Sequence, residues 1–255
     1  MNRHALNTLL LVVILLFVGC GGEKKETPQP VVQSPPAVTK TDATGDVEFR
    51  VVLEGTPTTP APIKMNADAR CLKMHNEPAH SQEVITDGKG MLQNVFVYVD
   101  QEFNGQTFPT PTAPVVLTQR GCMYAPHVLG IQVNQPLQIV NGDATLHNIH
   151  ALPKLNTSFN LAQPKQGMKS EKSFSQREIM VRMKCDVHSW MGCYIGVLNH
   201  PFFAVTGTNG TAVIRRLPPG EYRIAAWHEK YGVQEQTVSV KGGEVKKVEL
   251  QFKRG

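Results

Sequence analysis

The sequence predicts an all-β protein built from two small sandwiches, and three observations carry that prediction. Short runs alternate apolar and polar residues, as in Val47-Glu-Phe-Arg-Val-Val-Leu53, Val95-Phe-Val-Tyr-Val99 and Thr237-Val-Ser-Val240, and a period of two lays one face of a strand against a core. Turn formers separate these runs, drawn from 21 Gly and 18 Pro in 255 residues. Helical periodicity is hard to find along the chain.

The first element is a leader. Met1-Asn-Arg3-His4 is a short cationic stretch, Leu9 to Val18 is apolar but too short to be read comfortably as a spanning helix, and Cys20 follows Val18-Gly19. This resembles a lipoprotein signal peptide, residues 1–19, with cleavage before Cys20 and lipid on that cysteine. The pattern prefers Leu where this chain has Phe17. An uncleaved amino-terminal anchor is the alternative and leaves the protein on the same side of the same membrane. Gly21 after the lipid site is similar to lipoproteins sorted to the outer membrane, so the expected location is the cell envelope, on the periplasmic side. Residues 20–45, rich in Pro, Thr, Gln and Lys, have little to bury and read as an extended tether.

The remaining ~210 residues suffice for two β domains. Residues 46–114 supply the first strands. Residues 115–199 carry the chemistry: in Cys185-Asp-Val-His188-Ser-Trp-Met191 a thiolate, an imidazole and a thioether fall within seven residues after an apolar strand-like run. Soft sulfur donors with imidazole suit copper, and two His, one Cys and a weak axial Met make a blue-copper set. The second imidazole is available in Thr145-Leu-His147-Asn148-Ile-His150, beyond the strand-like Leu137-Gln-Ile-Val-Asn141 and a Gly-Asp turn. Met is a poor zinc ligand, which argues against a closed zinc site. His150 is expected on the same face of the strand as His147 and competes with it; motif position favours His147.

These residues resemble the cupredoxins over roughly a third of the chain. The C-x2-H-x2-M spacing is similar to that of the amicyanins, and Met123 to Asn141 looks like the strands before the family's first ligand. The resemblance implies one mononuclear type 1 copper held by His147, Cys185, His188 and Met191. It further implies that Asn148 tethers the ligand loop near the thiolate, and that His188 is the solvent-facing exit for electrons. Cys193 departs from the family pattern and is either a free buried thiol or a redox-active neighbour. Trp190 shields the metal, forms part of a docking patch, or simply packs in the core.

Residues 200–255 carry a different signature, with Asn209-Gly210 as a hairpin turn and Leu217-Pro-Pro-Gly220-Glu-Tyr222 as a tight reversal. The segment resembles carboxypeptidase regulatory-like, or transthyretin-like, sandwiches, which are structural modules, but it is short for a whole one. The runs Gly45 to Leu53 and Asn94 to Val99 resemble the opening strands of the same module, which would make the cupredoxin-like part an insertion.

Five cysteines need assignment. With Cys20 on lipid and Cys185 on metal, Cys71 and Cys122 are expected to form a disulfide, because both lie in loop-like segments flanking the entry to the cupredoxin-like part and the compartment permits it. The competing reading is a second metal site at Cys71, Met74, His75 and His80. A net charge of +5 is modest and gives no reason to expect nucleic-acid binding; it suits an acidic redox partner, anionic headgroups or an ordinary solvated surface. His228-Glu229 is expected to be a hydrogen-bonded pair at a strand end. No nucleophile, base and orienter converge in the sequence, so an enzyme is not expected. The expectation is a membrane-anchored copper protein passing single electrons between envelope partners, with a copper-binding or cell-surface scaffold lipoprotein as the alternative.

Overall fold

The computed structural model describes residues 43–55, 59–103 and 105–254. The signal peptide, Cys20 and most of the tether lie outside the described residues. In chain order come β1 (Gly45–Leu53), the helix α1 (Ala69–Lys73) and β2 (Phe96–Val99). Next are β3 (Val115–Gln119), β4 (Tyr124–Ala125), β5 (Val128–Gln132), β6 (Leu137–Asn141) and β7 (His147–Leu152). They are followed by β8 (Phe159–Gln163), β9 (Lys169–Lys172), β10 (Glu178–Lys184) and β11 (Gly192–Leu198). The chain closes with β12 (Phe203–Val205), β13 (Thr211–Leu217), β14 (Gly220–His228), β15 (Gly232–Val240) and β16 (Val245–Phe252). The protein is all-β, with two sandwiches.

One sandwich faces the five-stranded sheet β5-β11-β10-β7-β8 against the four-stranded sheet β4-β3-β6-β9. Leu117, Ile131, Leu137, Ile139, Ile149, Met183 and Ile195 fill the space between them. The other stacks β13-β1-β16 on β12-β2-β14-β15. In β1 the alternation works as read, burying Val47, Phe49, Val51 and Leu53 while Glu48 and Arg50 face solvent. This strand runs antiparallel to β13 and parallel to β16, and β2 lies between β12 and β14. The first two strands thus belong to the sandwich whose other five strands come after the Cys185-to-Met191 segment. The connection between β1 and β2 divides its loyalties, since Met65 and Cys71 are buried in the core of the first sandwich.

Two turns differ from expectation. Asn209-Gly210 joins β12 to β13, and Leu217-Pro-Pro-Gly220 joins β13 to β14, yet in each case the joined strands belong to different sheets. They are arches between layers, and the hairpin of this region is β14–β15. The Tyr222 hydroxyl donates to the Pro218 carbonyl at 2.8 Å, which pins the second arch.

Every residue of β2 is buried because the strand has a core on each side. Val97 and Val99 face their own sandwich, whereas Phe96 and Tyr98 join Val128, Leu198 and Ala225 in a layer between the two sandwiches. Gly130 and Gly196 sit opposite one another on β5 and β11 and leave a flat spot there. A Cβ on Gly196 would lie 2.4 Å from Phe96 Cζ, and one on Gly130 would lie 2.3 Å from Phe203 Cε2. Two aromatic rings therefore seat where side chains are absent.

Candidate metal centre

The site is assembled at one end of the first sandwich by three connections. Asn141, the last residue of β6, fixes the connection to β7: its Oδ1 accepts from the Asp143 N–H at 2.8 Å, and its Nδ2 donates to the carbonyls of Thr145 and Gln163 at 2.9 and 2.7 Å. This aims the Asp143 carboxylate at three donors. Oδ1 accepts from the Gly121 N–H, and Oδ2 from the Cys122 N–H and from His147 Nε2–H, each at 2.8 Å. Cys122 holds a left-handed φ of 54°, a conformation costly for a residue with a Cβ, and the carboxylate supports it.

His147 opens β7 and is fully buried. Beside it, Asn148 Oδ1 accepts from the Cys185 thiol at 3.2 Å and from the Asp186 N–H at 2.6 Å, and its Nδ2 donates to Asn160 and Asp186. The β10–β11 connection closes on itself: the Cys185 N–H donates to the Met191 carbonyl at 3.1 Å and the Met191 N–H to the His188 carbonyl at 3.0 Å. His188 Nδ1 lies 3.1 Å from His147 Nδ1 and 3.9 Å from Cys185 Sγ. Ligand atoms of His147, Cys185 and His188 all fall within 4.8 Å of one another. Met191 is buried in the same cluster as Cys185.

Both imidazoles carry a carboxylate behind them. His147 Nε2–H donates to Asp143, and His188 Nε2–H donates to Asp68 Oδ2 at 3.1 Å. With each Nε2 so engaged, the Nδ1 atoms point at each other. Two imidazole nitrogens face to face at 3.1 Å require a proton or a cation between them. In the metal-free protein a proton can serve. Burial opposes charge on His147, but the Asp143 carboxylate and the Cys185 sulfur outweigh it and raise the imidazole to about 9. Burial likewise opposes the Cys185 thiolate, and the His147 imidazole with the amide donors of the loop brings the thiol below its ordinary range. Acidic sulfur, paired imidazoles and a thioether in a closed end of the sandwich fit a soft metal ion, and residues His147, Cys185, His188 and Met191 fit copper in particular.

Three expectations and one competing reading need correction. His188 does not face solvent: it is 2% exposed, because α1 and the Cys71–Cys122 disulfide lie over it, with Cys71 Sγ 3.4 Å from His188 Nε2. His150 is not a competitor. It lies three positions after His147, an odd step that turns a strand residue to the opposite face, and its Nδ1 meets Asp186 at 3.0 Å. The second metal site at Cys71, Met74, His75 and His80 has no thiolate, since Cys71 is bonded to Cys122 with a Cα separation of 5.6 Å, and His75 Nε2 is held by the Gly121 carbonyl at 2.7 Å. His228 and Glu229 do not pair: His228 is the last residue of β14 and Glu229 begins the turn that follows. His228 stacks on Tyr231 in the core, and Glu229 reaches His127 of the other sandwich.

The disulfide places Cys71 in a short helix and Cys122 in the β3–β4 turn. Cys193 is a free, fully buried thiol that burial keeps protonated. Trp190 lies half-buried with its ring centroid 5.2 Å from that of His188, its Nε1–H donating to the Cys122 carbonyl at 3.0 Å. The sequence gives little sign of Asp143 and Asp68: the first stands in a turn four residues before a candidate ligand His, and the second carries no signal.

No protein-family model matches the chain, and no curated protein matches it. Among solved structures, it is similar to the copper-containing nitrite reductase of Thermus scotoductus, at 22% identity and a TM-score of 0.29 over 36% of this chain and 24% of that one. It spans about a quarter of that enzyme's length. The purple cupredoxin of Nitrosopumilus maritimus is 20% identical, with a TM-score of 0.29 over 32% of this chain and 97% of that one. A mutant of amicyanin in its Cu(I) form is 19% identical, with a TM-score of 0.30, 34% of this chain and 85% of that one being covered.

Proposed function

We propose that this chain is a copper protein of the cell envelope, anchored through lipid on Cys20, that carries single electrons between partner proteins and has no catalysis of its own. The observation that carries this reading is the convergence of ligand atoms of His147, His188 and Cys185 within 4.8 Å at a buried end of the sandwich. Three side chains from two separate connections meet there with their other hydrogen bonds already made. Copper bound to them, with Met191 as the weak axial donor, would supply a one-electron couple.

The chain's own residues account for the rest. The Cys185 thiolate gives the most covalent link to the metal, Asn148 steadies it and the loop that follows, and the Asp143 carboxylate sets the His147 ring with Nε2–H outward and Nδ1 inward. Burial of all four ligands keeps water away and limits rearrangement between oxidation states. The Pro-rich tether would let the folded part reach partners above the membrane.

Voltammetry of the copper-loaded protein tests the proposal. A reversible one-electron couple is expected. A site that binds copper, exchanges it with a soluble copper chaperone and shows no reversible couple would instead support the copper-binding scaffold.

A further inference from the structure

We infer that Asp68 is a positioning residue of this centre, holding His188 from outside the sandwich, and that the α1 segment which carries it closes the site against small ligands; the inference rests on the copper reading above. Asp68 comes from the connection between β1 and β2, 120 residues before its partner. Its two carboxylate oxygens have separate tasks. Oδ1 caps α1 by accepting from the Arg70 N–H at 2.8 Å, and Oδ2 accepts from His188 Nε2–H at 3.1 Å. A side chain fixed at both oxygens fixes the ring it touches, here with Nδ1 toward Cys185 and His147.

The segment is braced against the same frame that holds the other imidazole. Cys71 of α1 is bonded to Cys122. The Cys122 N–H is held by Asp143, the carboxylate that orients His147. His75 Nε2 adds a second tie, to the Gly121 carbonyl at 2.7 Å, and Met65 plugs the segment into the core at 2% exposure. The carboxylates behind His147 and His188 are therefore parts of one support, joined by the disulfide and by the Cys122 N–H hydrogen bond to Asp143. A carboxylate on the remote nitrogen makes an imidazole a stronger donor and favours the more highly charged metal. Loss of the Asp68 charge should then favour the cuprous state.

The test uses the full-length chain, loaded with Cu(II), beside Asp68→Asn and Asp68→Ala. Asp68→Asn keeps an oxygen for the helix cap and removes the charge. Its thiolate-to-copper band should persist while its midpoint potential rises above the parent's. Asp68→Ala should bind copper about 10–100-fold more weakly and should take up added azide, seen as a changed visible spectrum, whereas the parent does not. Nitrogen-15 NMR of the metal-free protein gives an independent readout: His188 should be protonated at Nε2 in the parent and mixed between nitrogens in Asp68→Ala. An unchanged potential in Asp68→Asn, with the parent's copper band intact, would overturn the role of Asp68 and leave the copper site standing. A parent that takes no copper at Cys185 would overturn the copper reading and this inference together.

Discussion

Asn148 serves several donors with one amide oxygen, and the ligand loop depends on it. Replacing it by Ala would leave the Asp186 N–H without its 2.6 Å acceptor and remove the 3.2 Å contact to the Cys185 thiol. Unmet donors of this kind cost about 1–3 kcal/mol, and partners of metal ligands are worth about 10–100-fold in affinity. Asn148→Ala should therefore bind copper in that measure more weakly by competitive titration with a chelator. Two histidines away from the site add to the acid sensitivity of the fold. Burial pushes His200 and His228 from 6.5 down to about 4, so between those values the unfolded chain takes up protons that the folded chain refuses. Their share of stability is complete above about pH 6.5 and is lost as the pH falls toward 4, at most about 3 kcal/mol for each. His228 stacks on Tyr231 beside the tilted ring of Phe252, and its buried Nε2 has no hydrogen-bond partner. His228→Phe should flatten the decline of urea stability from pH 6.5 to 4, and a slope equal to the parent's would refute the assignment.

Between elements, the flat spot on β5 and β11 decides how the sandwiches meet. Gly196→Val would drive a side chain into Phe96 and the Met180 methyl, 2.4 and 2.8 Å from where its Cβ must go. Overpacking of this sort costs about 1–3 kcal/mol, and denaturant unfolding should show that loss. The same region shows what a sequence does and does not disclose. The alternation in β1 and the apolar run of β2 mark strands, but Phe-Val-Tyr-Val cannot say that Phe96 and Tyr98 face a second sandwich, because a strand buried on both sides has no polar face to betray direction. The Cys185–Met191 loop is legible for the opposite reason: Cys185, His188 and Met191 are neighbours in sequence, and the loop's own backbone bonds bring them together. Where a site residue comes from far away, spacing is silent. Asp68 reaches His188 only through the packing of α1, and that packing also buries the imidazole that the loop alone would leave at the surface. His150 fails as a ligand through simple strand parity.

At the scale of the molecule, the strands of the metal-site sandwich, β3 to β11, lie in sequence between two sets of strands that complete each other. Both neighbours of β1 and both neighbours of β2 come from β12 to β16. A chain ending at His200 should therefore lose hydrogen-exchange protection throughout β1 and β2, while retained protection there would contradict the shared sandwich. The arrangement gives the metal end two supports, its own sheets and the α1 segment lent by the connection between β1 and β2. Everything rests on Cys185 being a metal ligand. The most direct measurement is the visible and EPR spectrum of the chain without its lipid anchor, loaded with Cu(II), beside Cys185→Ala. An intense thiolate-to-copper band with the narrow copper hyperfine splitting of a covalent thiolate site, lost in the variant, is the predicted result. A colourless protein, or a spectrum that survives the loss of Cys185, would contradict it.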